Sequence, residues 1–393
     1  MTELPVPAGP ADVTVEWMND ALGSSVSLNG AQVVSVEWEQ IAVGEGFAGQ
    51  LARIEIDYAG SSGTSADAPS SLIGKFASAH AETRELLAMA GGYEREVRFY
   101  SDLAADCGLP TPRCYHAAYD AAAGTCVILL EDLSPAETGD QVAGATIEES
   151  RFVVAELARF HARWWNDESL PSRDWMRPSA DLGEQIITLF ETGLPAFEEL
   201  AADYPRIGVL VRRAGKVLPM LIGELVERFG KPPYTLVHGD MRLDNLFLPV
   251  AEGDRFTVID WQGATLGAGA ADLSYWLALS LTVEVRRAHE DELLRLYHAT
   301  LVEHGVTDYK FSQLKRDYAG TLLALIPFAV VAATSLDLTS ERGQALASAV
   351  FTRMDEALAD HKAGRLLLIA PWALRASKVR DALSSPFARR SRA

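Results

Sequence analysis

The sequence is poor in basic residues: 35 lysines and arginines stand against 54 aspartates and glutamates in 393 residues, for a net charge of −19. Duplex nucleic acid and anionic membrane surfaces are bound through a basic face, so this shortage argues against both kinds of partner. Cysteine is also rare, and Cys107, Cys114 and Cys126 form neither a CxxC pair nor an even set for a disulfide framework. We therefore expect a reducing compartment, the cytoplasm.

Long apolar stretches are missing as well. The longest runs from Leu322 to Ala333, twelve residues that include Pro327, whereas a membrane span requires ~20. The first residues contain no basic segment followed by an apolar one, which predicts no signal peptide. We expect a buried helix at 322–333 and no membrane span.

The chain contains two regions with different sequence patterns. Apolar segments typical of strands occur in the first third, at 33–38, 51–58, 72–76 and 126–130. After Pro135 the pattern becomes helical, with an apolar stripe within 153–164. The tail at 375–393 has six basic residues and one acidic residue, and we interpret it as a solvated end. We predict an α+β protein with a strand-rich lobe at 1–133 and a helical lobe at 134–393.

A glycine-rich segment, Gly44-Glu-Gly-Phe-Ala-Gly49, lies between the first two predicted strands. A dinucleotide-binding fold needs a helix after such a loop, whereas 51–58 alternates as a strand. Strand, glycine loop and strand is the order of the flap that covers ATP phosphates in kinases, which makes Gly44, Gly46 and Gly49 candidate phosphate contacts. An ordinary glycine-rich hairpin turn is the alternative.

Lys75 is the only lysine in the first 215 residues, and it lies in the apolar segment 72–76. A lysine in a buried strand is costly unless it is paired or bound to an anion. Kinases place a phosphate-contacting lysine on their third strand and pair it with a helix glutamate. Glu94 and Glu96 are the candidates, and we favour Glu96 because it precedes Val97 and faces the core. A lysine that reaches solvent from a sheet edge is the alternative.

The strongest chemical signal is His238-Gly-Asp-Met-Arg-Leu-Asp-Asn245, followed by Phe256-Thr-Val-Ile-Asp260. The intervening residues have the composition of a turn. With the turn centred on Glu252-Gly253, the two segments form a hairpin within 236–262 in which Leu246 pairs with Ile259 and Asn245 with Asp260. Directly opposed residues of antiparallel strands have Cβ atoms ~5 Å apart. This register predicts an amide oxygen and a carboxylate side by side.

Two hard oxygen ligands suit a Mg²⁺ ion that takes its other ligands from water and phosphate. We therefore assign Asn245 and Asp260 to Mg²⁺. Phosphoryl transfer also needs an acid–base group on the attacking hydroxyl, which we assign to Asp240, and Arg242 is a candidate contact of the transferring phosphate.

His238 and Asp272 are interpreted as support for this site. No Ser/His/Asp or Cys/His grouping accompanies His238, so we expect it to brace its loop. Asp272 is a candidate acceptor of hydrogen bonds from the backbone of that loop, and also a candidate helix N-cap.

These motifs resemble those of the aminoglycoside phosphotransferase and choline kinase superfamily: His238-Gly-Asp240 with Asn245, Ile259-Asp-Trp-Gln262, and Asp272-Leu-Ser-Tyr-Trp276. The strings HGDMRLDNL, EREVRFY and LARFHARWW are most similar to its ecdysteroid-kinase-like branch. The resemblance implies a bilobal protein-kinase-like fold with a small antiparallel-sheet N-lobe and a larger, mostly helical C-lobe. It also implies ATP in the cleft, with its adenine against backbone groups of Glu131 and Leu133.

We expect a kinase that uses ATP and Mg²⁺ to phosphorylate a hydroxyl of a small molecule. Protein kinases place a long activation segment after the metal-binding aspartate, whereas eleven residues separate Asp260 from Asp272 and no Ala-Pro-Glu follows. A nucleotide-binding pseudokinase or scaffold is the alternative. A metal-dependent hydrolase built on His238, Asp240 and Asp260 is a third interpretation, which lacks a second histidine cluster.

The acceptor stays open between an aminoglycoside, an amino alcohol, a sterol-like alcohol and a hydroxyacyl thioester. An aromatic acceptor wall is expected from the helical lobe, with Trp164, Trp165, Trp175 and Trp276 as candidates. Trp164 lies on the apolar stripe, so we expect it in the core instead.

Overall fold

The computed structural model describes residues 4–23, 28, 30–41, 49–59, 68–176, 182–216, 231–249, 254–333, 338, 340–362, 365 and 372. The predictions for Gly44, Gly46 and the tail at 375–393 therefore concern residues outside this part of the chain. The strands are β1 (Gln32–Ile41), β2 (Gly49–Ala59), β3 (Ser71–Ala77), β4 (Cys114–Asp120), β5 (Thr125–Glu131), β6 (Thr235–Val237), β7 (Leu246–Phe247), β8 (Thr257–Val258) and β9 (Thr265–Gly267).

The helices are α1 (Val15–Gly23), α2 (Ala81–Met89), α3 (Gly92–Asp102), α4 (Ile147–Arg163), α5 (Leu182–Leu200), α6 (205–216), α7 (Gly269–Tyr275), α8 (Val283–Glu303), α9 (Phe311–Thr321), α10 (Leu325–Ala333) and α11 (Glu341–Asp360). A π-helical turn, Trp276–Ser280, continues directly from α7.

The first five strands form one antiparallel sheet in the order β1-β2-β3-β5-β4. In β3, Phe76 faces the cluster of buried residues that α1 covers. Lys75 faces the opposite side, because neighbouring strand residues alternate between faces. Its direct partner Ile128 packs on that side with residues of α3. The sheet therefore presents Lys75 toward α3.

The α+β architecture is confirmed, with a five-stranded antiparallel sheet followed by a mostly helical region. The sequence did not predict β4, because Cys114–Asp120 mixes small and polar residues that are almost all half-buried. Such a strand lacks the alternation of apolar and polar residues on which recognition depends.

In the helical region, the apolar run at 322–333 forms a short 3₁₀ turn followed by α10, and Leu325, Ile326 and Val330 are buried. The prediction of a buried helix is confirmed. Among the residues that the structure describes, no helix combines the length and the apolar character needed to span a bilayer.

The register predicted for the hairpin of β7 and β8 is wrong by one residue. Leu246 pairs with Val258 rather than with Ile259, and the Ile259 amide donates to the Asn245 carbonyl at 3.0 Å. Turn composition locates a turn, but it does not define the residue on which the turn is centred. Asn245 therefore lies opposite Ile259, and Asp260 follows after the strand has ended.

Candidate functional site: a loop, a lysine and two carboxylates

The residues 238–245, called here the catalytic loop, begin with a tight turn at Gly239. Its φ is +84°, and a Cβ at this position would lie 2.5 Å from the carbonyl oxygen of Gly263. Only glycine accommodates both the left-handed conformation and this close approach. The turn therefore brings the catalytic loop against the segment that follows Asp260.

A buried carboxylate holds the start of the catalytic loop, as the sequence predicted for Asp272. Its two oxygens accept hydrogen bonds from the amides of His238 at 2.7 Å and Gly239 at 2.9 Å. Burial opposes ionisation of Asp272, but these bonds and the adjacent His161 outweigh it and lower its pKa. Asp272 is not the N-cap of α7, since Ala268 occupies that position.

Two histidines extend this support. The Asp240 amide donates to Nδ1 of His238 at 3.2 Å, so Nε2 carries the proton and donates to the carbonyl of Ile259 at 3.0 Å. His161 lies 3.3 Å from Asp272 through Nε2 and 2.7 Å from the Tyr297 hydroxyl through Nδ1. His238 thus braces the loop, as expected. His161 lies within the string LARFHARWW, but its contact with Asp272 spans 111 residues, and no local spacing predicts that contact.

The Asp240 carboxylate accepts a hydrogen bond on each oxygen. The Tyr275 hydroxyl donates to Oδ1 at 2.6 Å, and the Asn245 amide donates to Oδ2 at 3.1 Å and to the Asp240 carbonyl at 2.9 Å. Asp240 keeps 21% of its side chain exposed, which leaves access for a substrate. Tyr275 was not predicted as a site residue. Its spacing of three from Asp272 is the signal that was available, because residues three apart share a helix face.

Lys75 joins two carboxylates from different parts of the chain. Its Nζ lies 2.7 Å from Glu96 of α3 and 2.7 Å from Asp260. Glu96 is buried, whereas Glu94 is exposed, and the expected pairing with Glu96 is present. Asp260 reaches Lys75 because its backbone is left-handed, with φ +65° and ψ +64°. Such a conformation in a non-glycine residue costs about 1–3 kcal/mol and is found mainly at functional sites.

Burial opposes the charge of Lys75, yet the two carboxylates outweigh burial and raise its pKa. Burial likewise opposes ionisation of Asp260, but Lys75 lowers its pKa below the usual value. Burial raises the pKa of Glu96 despite the same lysine. The three groups therefore form one cluster, buried at Glu96 and half-buried at Lys75 and Asp260, in which the single cation stabilises two anions.

Replacing Lys75 with methionine should lower the free energy of unfolding by about 3 kcal/mol, since it leaves buried Glu96 and half-buried Asp260 without their cation. The uncompensated carboxylates would bind protons more readily in the folded state than in the unfolded chain. The deficit should therefore shrink as pH falls from 7 toward 5. Urea unfolding at both pH values measures this.

Lys315→Met is the matched control, because Lys315 pairs with Asp291 at 3.2 Å on the surface with 52% of its side chain exposed. Removing an exposed pair should cost no more than about 1 kcal/mol at either pH. Equal losses of unfolding free energy in Lys75→Met and Lys315→Met would contradict the stabilising role of the cluster around Lys75.

Helix α3 is also attached to the segment after Asp260. Phe99 stacks on Trp261 with ring centroids 4.0 Å apart and planes 7° apart. The Arg95 guanidinium donates to the carbonyl of Gln262 at 2.9 Å. Glu96 lies between Arg95 and Phe99, so these two contacts fix the helical turn that carries it.

Gln141, in the segment between β5 and α4, holds the far end of the catalytic loop. Its side-chain oxygen accepts from the Leu243 amide at 2.9 Å, and its side-chain nitrogen donates to the Leu279 carbonyl of the π-helical turn at 2.8 Å. The backbone amide of Gln141 donates to the Asp244 carboxylate at 3.1 Å. Arg353 of α11 in turn donates to the Gln141 carbonyl at 2.7 Å. Sequence reasoning did not identify Gln141, because these contacts span more than a hundred residues.

Asn245 and Asp260 fit the predicted Mg²⁺ ion in the chemistry of their donor atoms. Asn245 donates both of its hydrogen bonds through Nδ2, so its Oδ1 is the atom that can bind a cation. Asp260 contacts Lys75 through Oδ1, which leaves Oδ2 for a ligand. No cluster of three or more His, Cys, Asp or Glu side chains suited to a metal occurs within the described ranges. Two hard oxygens suit an ion that completes its shell with phosphate and water.

The connector after β5 is held to the sheet by Asp132. Its carboxylate accepts from Ser71 at 2.6 Å and from Arg53 at 2.9 Å. Despite partial burial, these donors and Ser134 lower the pKa of Asp132 to about 2. The Glu131 amide donates to the Arg113 carbonyl at 2.8 Å, and the Leu133 carbonyl accepts from Ala136 at 3.0 Å.

Some predicted site residues lie elsewhere or have another explanation. Gly49 begins β2 opposite Ala77, where a Cβ would lie 2.0 Å from the Phe76 carbonyl oxygen, so close strand packing alone requires glycine. Trp276 is fully buried in the π-helical turn. It therefore cannot line an open acceptor pocket, and that expectation was wrong. Trp164 is in the core, as predicted, and donates to the Cys107 carbonyl.

Comparison with known proteins agrees with this geometry. A family model described as the ecdysteroid kinase-like family matches residues 43–307, more than half of the chain. The uncharacterized kinase-like protein D1044.1 of Caenorhabditis elegans is 26% identical over 231 residues, 57% of this chain. The chain spans 61% of the length of that relative.

Two solved structures resemble this chain at low identity, and the one with a TM-score above 0.5 shows the fold. The choline kinase of Cryptosporidium parvum has a TM-score of 0.53 and 11% identity, over 83% of this chain and 91% of that one. A Ralstonia eutropha protein described as a candidate aminoglycoside phosphotransferase has a TM-score of 0.47 and 14% identity, over 88% and 96%. The chain therefore belongs to the ecdysteroid kinase-like family, and its fold is that of the choline kinase structure.

Proposed function

We propose that this protein is a Mg²⁺-dependent kinase that transfers the γ-phosphate of ATP to a hydroxyl of a small molecule. One observation carries the proposal: Lys75 contacts Asp260, while Asp240 and Asn245 share a hydrogen bond on the catalytic loop. Phosphoryl transfer requires this combination of a phosphate-binding cation, oxygen ligands for a metal and a carboxylate for the attacking hydroxyl.

The charges in the site support the need for a divalent cation. Among the described residues, Lys75 and Arg242 pair with four carboxylates, those of Glu96, Asp240, Asp244 and Asp260. ATP would bring further negative charge. When bound by Asn245 and Asp260, Mg²⁺ would neutralise phosphate oxygens and the charge that develops on them.

In the proposed reaction, Asp240 accepts the proton of the acceptor hydroxyl. The hydroxyl oxygen forms a bond to the γ-phosphorus, the bond between that phosphorus and the bridging oxygen breaks, and ADP leaves with the electron pair. Arg242 would contact the transferring group, and the nearby Asp240 raises the pKa of its guanidinium. Lys75 would hold the other phosphates, and Glu131 and Leu133 would offer the adenine one acceptor and one donor.

A small acceptor suits the structure around Asp260. The eleven residues before Asp272 are occupied by a 3₁₀ turn, by β9, which pairs with β6, and by the start of α7. This compact segment offers no extended platform of the kind that protein kinases use for a polypeptide. The acceptor is a member of one of four classes: aminoglycosides, amino alcohols, sterol-like alcohols or hydroxyacyl thioesters.

A coupled assay of ADP release tests the proposal across the four classes. With Mg²⁺ and ATP, we expect at least one class to raise the rate well above that without acceptor, and mass spectrometry should find one added phosphoryl group on the acceptor. Asp240→Asn is the negative control in this assay, because it lacks the proposed base. Binding of ATP without acceptor-dependent ADP release in any class would favour a nucleotide-binding pseudokinase instead.

A further inference from the structure

The guanidinium of Arg242 forms loose ion pairs with Asp240 and Asp244 but, within the described part of the chain, no hydrogen bond through its Nε. Its Nε is 3.4 Å from Asp240 Oδ2, and this buried nitrogen has no hydrogen-bond partner among the described residues. A buried donor without a partner costs about 1–3 kcal/mol. Arginine and carboxylate prefer a bidentate pair with two short bonds. A closer pair between Arg242 and Asp240 would therefore be favourable, and the Asp244 carboxylate, 3.6 Å from Arg242 Nη1, and the other contacts of Asp240 compete with it.

Tyr275 is placed to oppose a closer pair between Arg242 and Asp240. Its hydroxyl donates to Asp240 Oδ1 at 2.6 Å, while Asn245 donates at 3.1 Å to Oδ2, the oxygen that lies 3.4 Å from Arg242 Nε. Tyr275 is the last residue of α7, which also carries Asp272, and the π-helical turn begins at the next residue. One rigid helix thus anchors both the start of the catalytic loop and the carboxylate within it. Burial and Asp240 raise the pKa of Tyr275 well above the usual value, so it stays a neutral donor.

We infer that Tyr275 is a positioning residue that keeps the carboxylate of Asp240 apart from the guanidinium of Arg242. This inference rests on the proposed function, in which Asp240 takes a proton and Arg242 contacts a phosphate. If the two groups closed into a bidentate pair, each would be withdrawn from its task. The Tyr275 hydroxyl prevents this by offering Oδ1 a competing bond in a fixed direction.

Tyr275→Phe removes only the hydroxyl. We expect kcat to fall about 100-fold, the loss typical of a misplaced reacting group, while the KM for ATP stays within about threefold. In an Arg242→Gln background there is no guanidinium to close on Asp240. The further loss caused by Tyr275→Phe should then be less than about threefold, a non-additivity expected only of groups that interact.

Tyr318→Phe is the matched control. Tyr318 is also a buried tyrosine, and it donates to Glu290 at 2.9 Å, outside the proposed site. It should leave kcat within about threefold of the original protein. Incorporation of 4-aminophenylalanine at position 275 restores a donor at the same point of the ring, and we expect it to recover most of the activity that Tyr275→Phe loses.

The separation of Arg242 from Asp240 can be measured without any acceptor. The Arg242 Nε–H resonance in ¹⁵N NMR, assigned by its loss in Arg242→Gln, should move downfield and exchange more slowly with solvent in Tyr275→Phe as the pair forms. An unchanged resonance would overturn the inference, and so would equal losses of kcat in the two backgrounds. If no acceptor class is phosphorylated by the original protein, the proposed function fails, and the resonance still decides what Tyr275 does.

Discussion

Asp240→Asn is expected to lower the rate of phosphoryl transfer by about 10²–10⁴-fold, the usual contribution of a positioned acid–base group. Asparagine has the same size and can still accept from the Tyr275 hydroxyl, but it cannot take a proton from the acceptor. Lys75, Asp260 and the connector are unchanged, so the Kd for ATP with Mg²⁺ should stay within about threefold of the original value. Single-turnover transfer and calorimetric ATP titration measure the two effects.

Asp291→Asn is a suitable control for this variant, because Asp291 is exposed and pairs with Arg295 and Lys315 on the surface. It should change neither quantity. Transfer at more than a tenth of the original rate in Asp240→Asn would remove Asp240 from the role of base. Loss of ATP binding instead would mean that the residue acts on the nucleotide rather than on the acceptor.

Asp260→Ala is expected to abolish the gain in ATP affinity that Mg²⁺ provides. The substitution removes one of the two proposed metal ligands. Loss of a residue that only orients a ligand already costs about 10–100-fold in metal affinity, so at least a loss of that size is expected. Lys75 keeps its contact with Glu96 at 2.7 Å, which should preserve the fold and the weak binding of ATP without metal. Titration of ATP in Mg²⁺ and in EDTA separates these contributions.

Asp260→Asn accompanies this experiment, because asparagine tolerates the left-handed backbone of residue 260 better than alanine does. Both variants should bind ATP with the same affinity in Mg²⁺ and in EDTA. If either one retains the full effect of Mg²⁺, the ion is held elsewhere and the assignment of Asp260 is wrong. Thermal unfolding of both variants shows whether any loss comes from the fold instead.

Sequence reasoning succeeded best where a local pattern carries a physical requirement. Lys75 is a single charge in an apolar strand, so a partner was expected. The arrangement in kinases suggested a helix glutamate, and the position of Glu96 beside Val97 favoured it over Glu94. Asp272 was predicted as an acceptor for the catalytic loop, and its two hydrogen bonds to that loop are present.

It failed where the answer depended on the precise path of the backbone. The register of β7 and β8 differs by one residue from the prediction, and Asp260 turns toward Lys75 through a left-handed conformation that no composition indicates. Asn245 and Asp260 were expected to be neighbours across a regular ladder. The structure instead directs the Asp260 side chain to the lysine.

The sequence by itself determined the α+β architecture, the buried lysine with its glutamate, and the residue types from which a phosphoryl-transfer site can be built. These depend on burial and on spacings of two to four residues, which the order of amino acids sets directly. Only the tertiary structure decided that Tyr275 and Gln141 hold the catalytic loop and that Asp260 faces Lys75. Those contacts join segments 35 to 185 residues apart, and their geometry is settled by packing of the whole core, since no local preference favours one distant partner over another.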